Sequence, residues 1–256
     1  RMSQGYEQFY QRARLMPRIL GAYVKVERAY IRGANLMARP GAWDEARPGE
    51  KQNMRSYKIL EKHFRILMNC DDFMQAHPDL AVSTVDFIDK VAARARGDDL
   101  SRLRHRVIAL AAPGTHWAEM LKIKTKRGFK NTLTGRLLCP ITKIQKFDED
   151  PAAFCRAVRN AQIKIHSRDW PLFLYDEKDV VPGKVKPGLL RSPLLVKCYQ
   201  VIFTGPQSAE DDVQEASKST GKPSLSAKYN MVGVTPETIC YIAALASAEL
   251  PSMLPY

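Results

Sequence analysis

The chain has 256 residues, 45% of them hydrophobic and 26% charged, with 40 lysines and arginines against 27 carboxylates and a formal net charge of +13. That balance describes a folded protein with a packed core and excludes a disordered, collagen-like or fibrous chain. No run approaches the roughly 18 consecutive apolar residues of a membrane-spanning helix, and the length admits one large domain or two modest ones.

Taken in chain order, apolar spacing predicts helix almost throughout. Tyr6, Phe9, Tyr10 and Ala13 open a first stripe, which restarts at Pro17 and continues through Ile19, Leu20, Tyr23, Val24, Ala29, Tyr30, Ala34 and Met37. Pro17 is expected to mark a kink or a first-turn position. These residues lack the charged tip, apolar run and small-residue cleavage site of a secretory signal. A Gly/Pro-rich loop is expected at Arg39–Gly49, then a helix with Tyr57, Leu60, Phe64 and Leu67 inward, stopping near Asn69–Asp72.

Ser83 with Asp86 three residues on resembles a capping arrangement, followed by Val85, Ile88, Val91 and Ala95 and ended by Gly97. Asp98 is then expected to cap a separate helix with Leu100, Leu103, Val107 and Leu110 inward, stopped at Pro113–Gly114. Three later helices share one start signal, a capping oxygen followed by proline: Asp150–Pro151, Ser192–Pro193 and Thr235–Pro236. Tyr175–Gly188 and Ser217–Ser226 read as surface loops. Strand signals are sparse: Lys122–Thr125 alternates in polarity, and Leu194–Phe203 is apolar enough to read either way. The expected fold is therefore mainly α, a multi-helix globular bundle with irregular loops and few or no strands. It is expected to form one domain over 1–256, divisible into 1–112 and 113–256.

Five cysteines, Cys70, Cys139, Cys155, Cys198 and Cys240, are odd in number and irregularly spaced, which fits buried free thiols in a reducing, intracellular compartment. No cofactor or metal site is expected. His63, His105, His116 and His166 stand alone, and no Cys/His pairs have zinc-site spacing. His77-Pro78-Asp79 matches the start of a two-His-one-carboxylate iron site, but its helical surroundings favour a turn. His166, Arg168 and Asp169 could form a polar cluster and are better explained by short-range pairing. A phosphate-cradling glycine loop, a His-Glu-x-x-His helix and a nucleophile elbow are all missing, so an enzyme reading ranks third.

Charge is the most informative feature. Between Ser101 and Phe147 stand Arg102, Arg104, Arg106, Lys122, Lys124, Lys126, Arg127, Lys130, Arg136, Lys143 and Lys146, against Glu119 as the sole carboxylate. Solvated faces normally mix both signs. Trp117 and Phe129 lie among these cations, with Thr125, Asn131, Thr132 and Thr134 as donors for phosphate oxygens. From Val201 to Tyr256 three lysines meet six carboxylates. Two partners follow as expectations. One is nucleic acid, bound without sequence preference by the eleven cations and implying a nuclear protein. The other is an acidic protein surface, including a second copy docking through its acidic C-terminal part.

Four stretches carry a resemblance: Trp170-Pro171-Leu172-Phe173-Leu174-Tyr175-Asp176, Gly188-Leu189-Leu190-Arg191-Ser192-Pro193-Leu194-Leu195-Val196-Lys197, Ile202-Phe203-Thr204-Gly205-Pro206-Gln207-Ser208-Ala209 and Val234-Thr235-Pro236-Glu237-Thr238-Ile239-Cys240-Tyr241. Over roughly residues 130–250 the chain resembles an uncharacterised domain family of mushroom-forming fungi. The resemblance implies a fungal intracellular protein, from genomes rich in mobile elements, with no assigned activity and no catalytic residues to carry over. Read physically, Trp170, Phe173 and Tyr175 are expected to supply buried surface, and Thr204–Ser208 a turn.

Overall fold

Helix starts that depend on neighbours three residues away form as their sequence demands. Asp150 Oδ1 accepts from the Ala153 N–H at 2.8 Å, Ser192 Oγ from Leu195 at 3.1 Å and Thr235 Oγ1 from Thr238 at 3.4 Å, each with proline at the first helical position. Each cap satisfies one of the backbone donors a helix start leaves open. These contacts belong to a computed structural model that describes residues 4–64, 78–166, 168–181, 183–210, 223–231 and 233–250. The fold is mainly α: no strand occurs among the described residues, where the extended pairing consists of the isolated bridges Pro140–Pro171 and Tyr175–Leu189. No described helix is long and apolar enough to cross a membrane. The chain forms two compact units, residues 1–98 and 99–256.

The first unit contains α1 (Gln4–Leu20), α2 (Val26–Met37), the short α3 (Ala42–Glu45), α4 (Pro48–His63) and most of α5 (Pro78–Arg104). Helix α1 continues through Pro17 instead of starting there, with Ala13, Met16 and Leu20 buried. The chain turns at Gly21, whose φ of 115° suits a residue without a side chain. Lys25 at the start of α2 offers no cap. The carboxylate of Asp89 on α5 does so instead, accepting from the N–H groups of Val26 at 2.9 Å and Glu27 at 3.3 Å. Helices α2 and α4 pack closely because position 33 is glycine: a Cβ there would lie 2.3 Å from that of Tyr57. The expected loop at Arg39–Gly49 holds α3 and the first turn of α4, with left-handed Gly41 preceding α3 and Pro48 opening α4. Leu67, Asn69–Asp72, Cys70 and His77 lie outside the described residues.

Helix α5 corrects the expected break at Gly97 and the capping role of Asp98. It is one 27-residue helix, and Gly97 costs it about 1 kcal/mol relative to alanine without ending it. Asp98, expected as a cap, and its neighbour Asp99 both have tertiary partners: Asp98 meets Arg14 at 2.7 Å, and buried Asp99 accepts from the Tyr241 hydroxyl at 2.8 Å. Ser83 is inside the helix, its hydroxyl donating to the Leu80 carbonyl. Pro78 and Asp79 form the first turn, so they serve a helix start.

The second unit continues with α6 (Val107–Ala111), α7 (Trp117–Met120), α8 (Thr132–Leu138), α9 (Ile144–Glu149), α10 (Pro151–Arg159), α11 (Pro193–Phe203), α12 (Gln207–Glu210), α13 (Leu225–Lys228) and α14 (Pro236–Glu249). Lys122–Thr125 enters a 3-10 turn and Leu194–Phe203 is helix, which resolves both ambiguous segments. Helix α11 packs on α6, α12 and α14 around Cys198, Val201, Ile202, Phe203, Tyr241, Ile242 and Leu245, and Phe147 meets Phe154 edge-on beside α8. Phe173 and Tyr175 are buried as expected, but Trp170 is 45% exposed, because its backbone, accepting from Ile141, is what the fold uses. Thr204 and Ser208 share a 2.6 Å hydroxyl hydrogen bond across the expected turn. Cys139, Cys155 and Cys198 are buried free thiols and Cys240 is exposed.

Candidate functional site

The eleven cations of the central segment do not share one environment. Arg127 is the extreme case, 2% exposed. Its Nε donates to the Leu121 carbonyl at 2.8 Å, Nη1 to the Glu249 carbonyl at 2.8 Å and Nη2 to the Arg104 carbonyl at 3.0 Å. Arg104 ends α5, Glu249 ends α14 and Leu121 follows α7, so one guanidinium serves the C-termini of three helices. Helix C-termini leave carbonyls unpaired and carry partial negative charge, which a planar, five-donor cation satisfies. Burial pulls the Arg127 pKa below its ordinary value, while Glu249 opposes that shift. Arg127 is thus withdrawn as a phosphate contact; the fold consumes it.

The side chain of Glu249, fully buried, draws in two more of the eleven. Arg104 Nε lies 3.4 Å from Oε2 and Lys124 Nζ 3.6 Å from Oε1, with Arg127 Nη1 3.6 Å from Oε2. Arg102 sits 3.8 Å from buried Asp99 and Lys122 2.6 Å from Glu119. Arg136 is gripped from two sides, by Asp148 at 2.9 Å and Glu177 at 2.9 Å, and those hydrogen bonds raise its pKa. Lys143 reaches Asp169 at 3.5 Å. The single-sign segment of the sequence is therefore mixed in space, because Asp99, Asp148, Asp169, Glu177 and Glu249 enter from outside it.

Arg106, Lys126, Lys130 and Lys146 differ from the other seven. Among the described residues none of them has a carboxylate within ion-pair distance; Lys126, Lys130 and Lys146 are exposed and Arg106 half-buried. Lys126 and Lys130 end two successive 3-10 turns, Lys124–Lys126 and Gly128–Lys130, which hold both at the surface of one short segment. Several expected helpers are not available. Phe129 is buried, Thr134 is buried with its hydroxyl donating to the Gly128 carbonyl, and the Asn131 side chain caps α8. Trp117 is half-buried and stacks on His116 with centroids 4.6 Å apart, and Thr125 remains exposed.

The His166–Asp169 group is a local turn. Asp169 accepts from the His166 backbone N–H at 2.9 Å, and that bond, helped by Lys143, holds its carboxyl below the usual range. No group of three His, Cys, Asp or Glu side chains arranged for a metal occurs among the described residues. Sequence reasoning missed Asp99 and Glu249. A signal existed for the second: Glu249 ends a helix whose preceding residues, Ile242 to Ala248, carry no charge, an unusual place for a solvated carboxylate.

A model described as a family of unknown function (DUF6698) matches residues 90–253. The chain belongs to that family. The DUF6698 match takes in the Arg127–Glu249 cluster and all eleven central cations, and leaves residues 1–89 outside it. No curated protein and no solved structure matches the chain.

Proposed function

We propose that the protein binds nucleic acid without catalysis, gripping the phosphate backbone through those central cations that lack a carboxylate partner among the described residues. The observation that carries this reading is the contrast between Arg106, Lys126, Lys130 and Lys146 and the seven cations tied to carboxylates. An unpaired surface cation gains from a phosphate what a paired one has already obtained. Lys122 is a reserve contact, since its bond to Glu119 is an exposed three-residue pair of little worth. Within this reading the chain is a nuclear protein of a mushroom-forming fungus, an accessory of a mobile element or of chromatin.

Four phosphate contacts on duplex DNA imply that affinity falls at least about a hundredfold between 50 and 200 mM salt. Fluorescence anisotropy with a labelled duplex of random sequence measures it. Absence of binding at 50 mM salt, or binding indifferent to salt, would overturn the reading.

The competing partner is an acidic protein, including a second copy docking through its C-terminal part. Burial of Glu249 removes one of the six carboxylates that made the homotypic version attractive. Light scattering at low salt checks it: a dimer that dissociates as salt rises would favour this partner over nucleic acid.

A further inference from the structure

The first unit holds a second cationic surface, one that charge density along the sequence does not single out. Helix α3 carries Trp43 to α4, where Lys51, Arg55 and Lys58 fall four and three residues apart and so share a face. Lys51 Nζ, Arg55 Cζ and Lys58 Nζ lie 5.9, 5.7 and 5.4 Å from the centre of the Trp43 ring, which is 37% exposed. The negative face of an indole attracts a cation, yet three around one ring also repel one another. No two are more than about 12 Å apart, which is comparable with the Debye length at physiological salt.

No direct ion pair offsets that repulsion among the described residues. Among the described residues none lies within ion-pair distance of the three; Glu50 is occupied by the Arg47 backbone N–H, and Asp44 and Glu45 are exposed without pairing to them. Gly33 lets α2 pack tightly against α4, so the three cations project from a braced helix. From Lys51 to Lys58 the helix advances about 10 Å, so the three cations line two turns of one face.

We infer that Trp43 with Lys51, Arg55 and Lys58 is a binding platform for single-stranded nucleic acid, the cations taking successive phosphates and the indole stacking on an unpaired base. The half-exposed ring decides between ligands. An acidic peptide or duplex satisfies the charge but offers no free base face, whereas a single strand supplies phosphate and base together. The inference shares its class of ligand with the central-surface reading and uses none of that surface's residues.

Intrinsic fluorescence tests it. In the full chain carrying Trp117→Phe and Trp170→Phe, Trp43 is the sole indole, and oligo(dT) is expected to quench it while inorganic polyphosphate of equal charge does not. Trp43→Leu is expected to weaken oligo(dT) binding about tenfold. Lys51→Gln/Arg55→Gln/Lys58→Gln should flatten the logarithmic salt slope by about 2. If the double replacement unfolds, the difference between wild type and Trp43→Phe gives the same signal. Equal quenching by polyphosphate, no quenching, or unchanged affinity in Trp43→Leu overturns the proposal. The quench must also survive replacement of Arg106, Lys126, Lys130 and Lys146 by glutamine. Its loss there would move the strand to the central surface and sink this proposal. Survival with unchanged duplex affinity would sink only the central-surface reading.

Discussion

Replacing Arg127 by methionine separates a structural role from a binding role. The side chain keeps its approximate volume, but the carbonyls of Leu121, Arg104 and Glu249 lose their donors and the Glu249 carboxylate loses one of three cations. Each hydrogen bond from a charged donor is worth about 1.5–3 kcal/mol, and the terms do not add, because water can reach some carbonyls once the guanidinium is gone. Breaking a buried ion pair from one side costs about 3–5 kcal/mol; retention of Arg104 and Lys124 beside Glu249 sets the lower end. For a unit of this size the melting temperature should fall by about 6–12 °C. Arg127→Lys should recover less than half of the loss, since an ammonium cannot span three helix ends. Adding Glu249→Leu to Arg127→Met should cost less than the sum of the single changes, because the stranded charge has been removed. Urea melts followed by circular dichroism measure all three. A loss below about 1 kcal/mol for Arg127→Met would refute the assignment of Arg127 to the fold and restore it as a candidate contact.

Other expectations follow from single positions. Gly33→Ala should destabilise the first unit by about 1–3 kcal/mol through overpacking against Tyr57 and the Asn53 carbonyl, read as a lower urea midpoint. Burial pushes the Cys139 and Cys198 thiols up to about 12 and raises that of Cys155, so iodoacetamide at pH 8 should label exposed Cys240 while those three stay protected until the chain unfolds; peptide mass mapping reads the order. The Asp169 carboxyl is held low, so its stabilising bond to the His166 turn is fully present above the unfolded value of about 3.8 and fades as pH falls through the depressed folded value. Asp169→Asn should therefore lower the melting temperature at pH 7 and progressively less below about pH 3.8.

What the sequence revealed depended on range. The caps at Asp150, Ser192 and Thr235 were legible because donor and acceptor are three residues apart. The cap of α2 was not, since Asp89 is 63 residues from Val26, nor was the Asp99–Tyr241 bond across 142 residues. Gly97 followed by Asp98 looks locally like a stop and a restart, and the tertiary partners of Asp98 and Asp99 override that signal. The central charge was legible as composition but not as a surface. Counting along the chain could not see that Asp148, Glu177 and Glu249 would reach back to Arg136, Arg104 and Lys124, nor that Arg127 would turn inward. The Trp43 group was missed for the opposite reason: Lys51, Arg55 and Lys58 are diluted by carboxylates in sequence, yet among the described residues none of the three forms an ion pair.

The contrast between paired and unpaired cations is tested most directly by the salt dependence of duplex binding in two glutamine variants. Replacing Arg106, Lys126, Lys130 and Lys146 should flatten the logarithmic slope by about 3.6. Replacing Arg136 and Lys143, both engaged with carboxylates, should leave it within about 0.5 of the wild-type value. Equal slopes in wild type and the first variant, or a larger change in the second, would contradict the account.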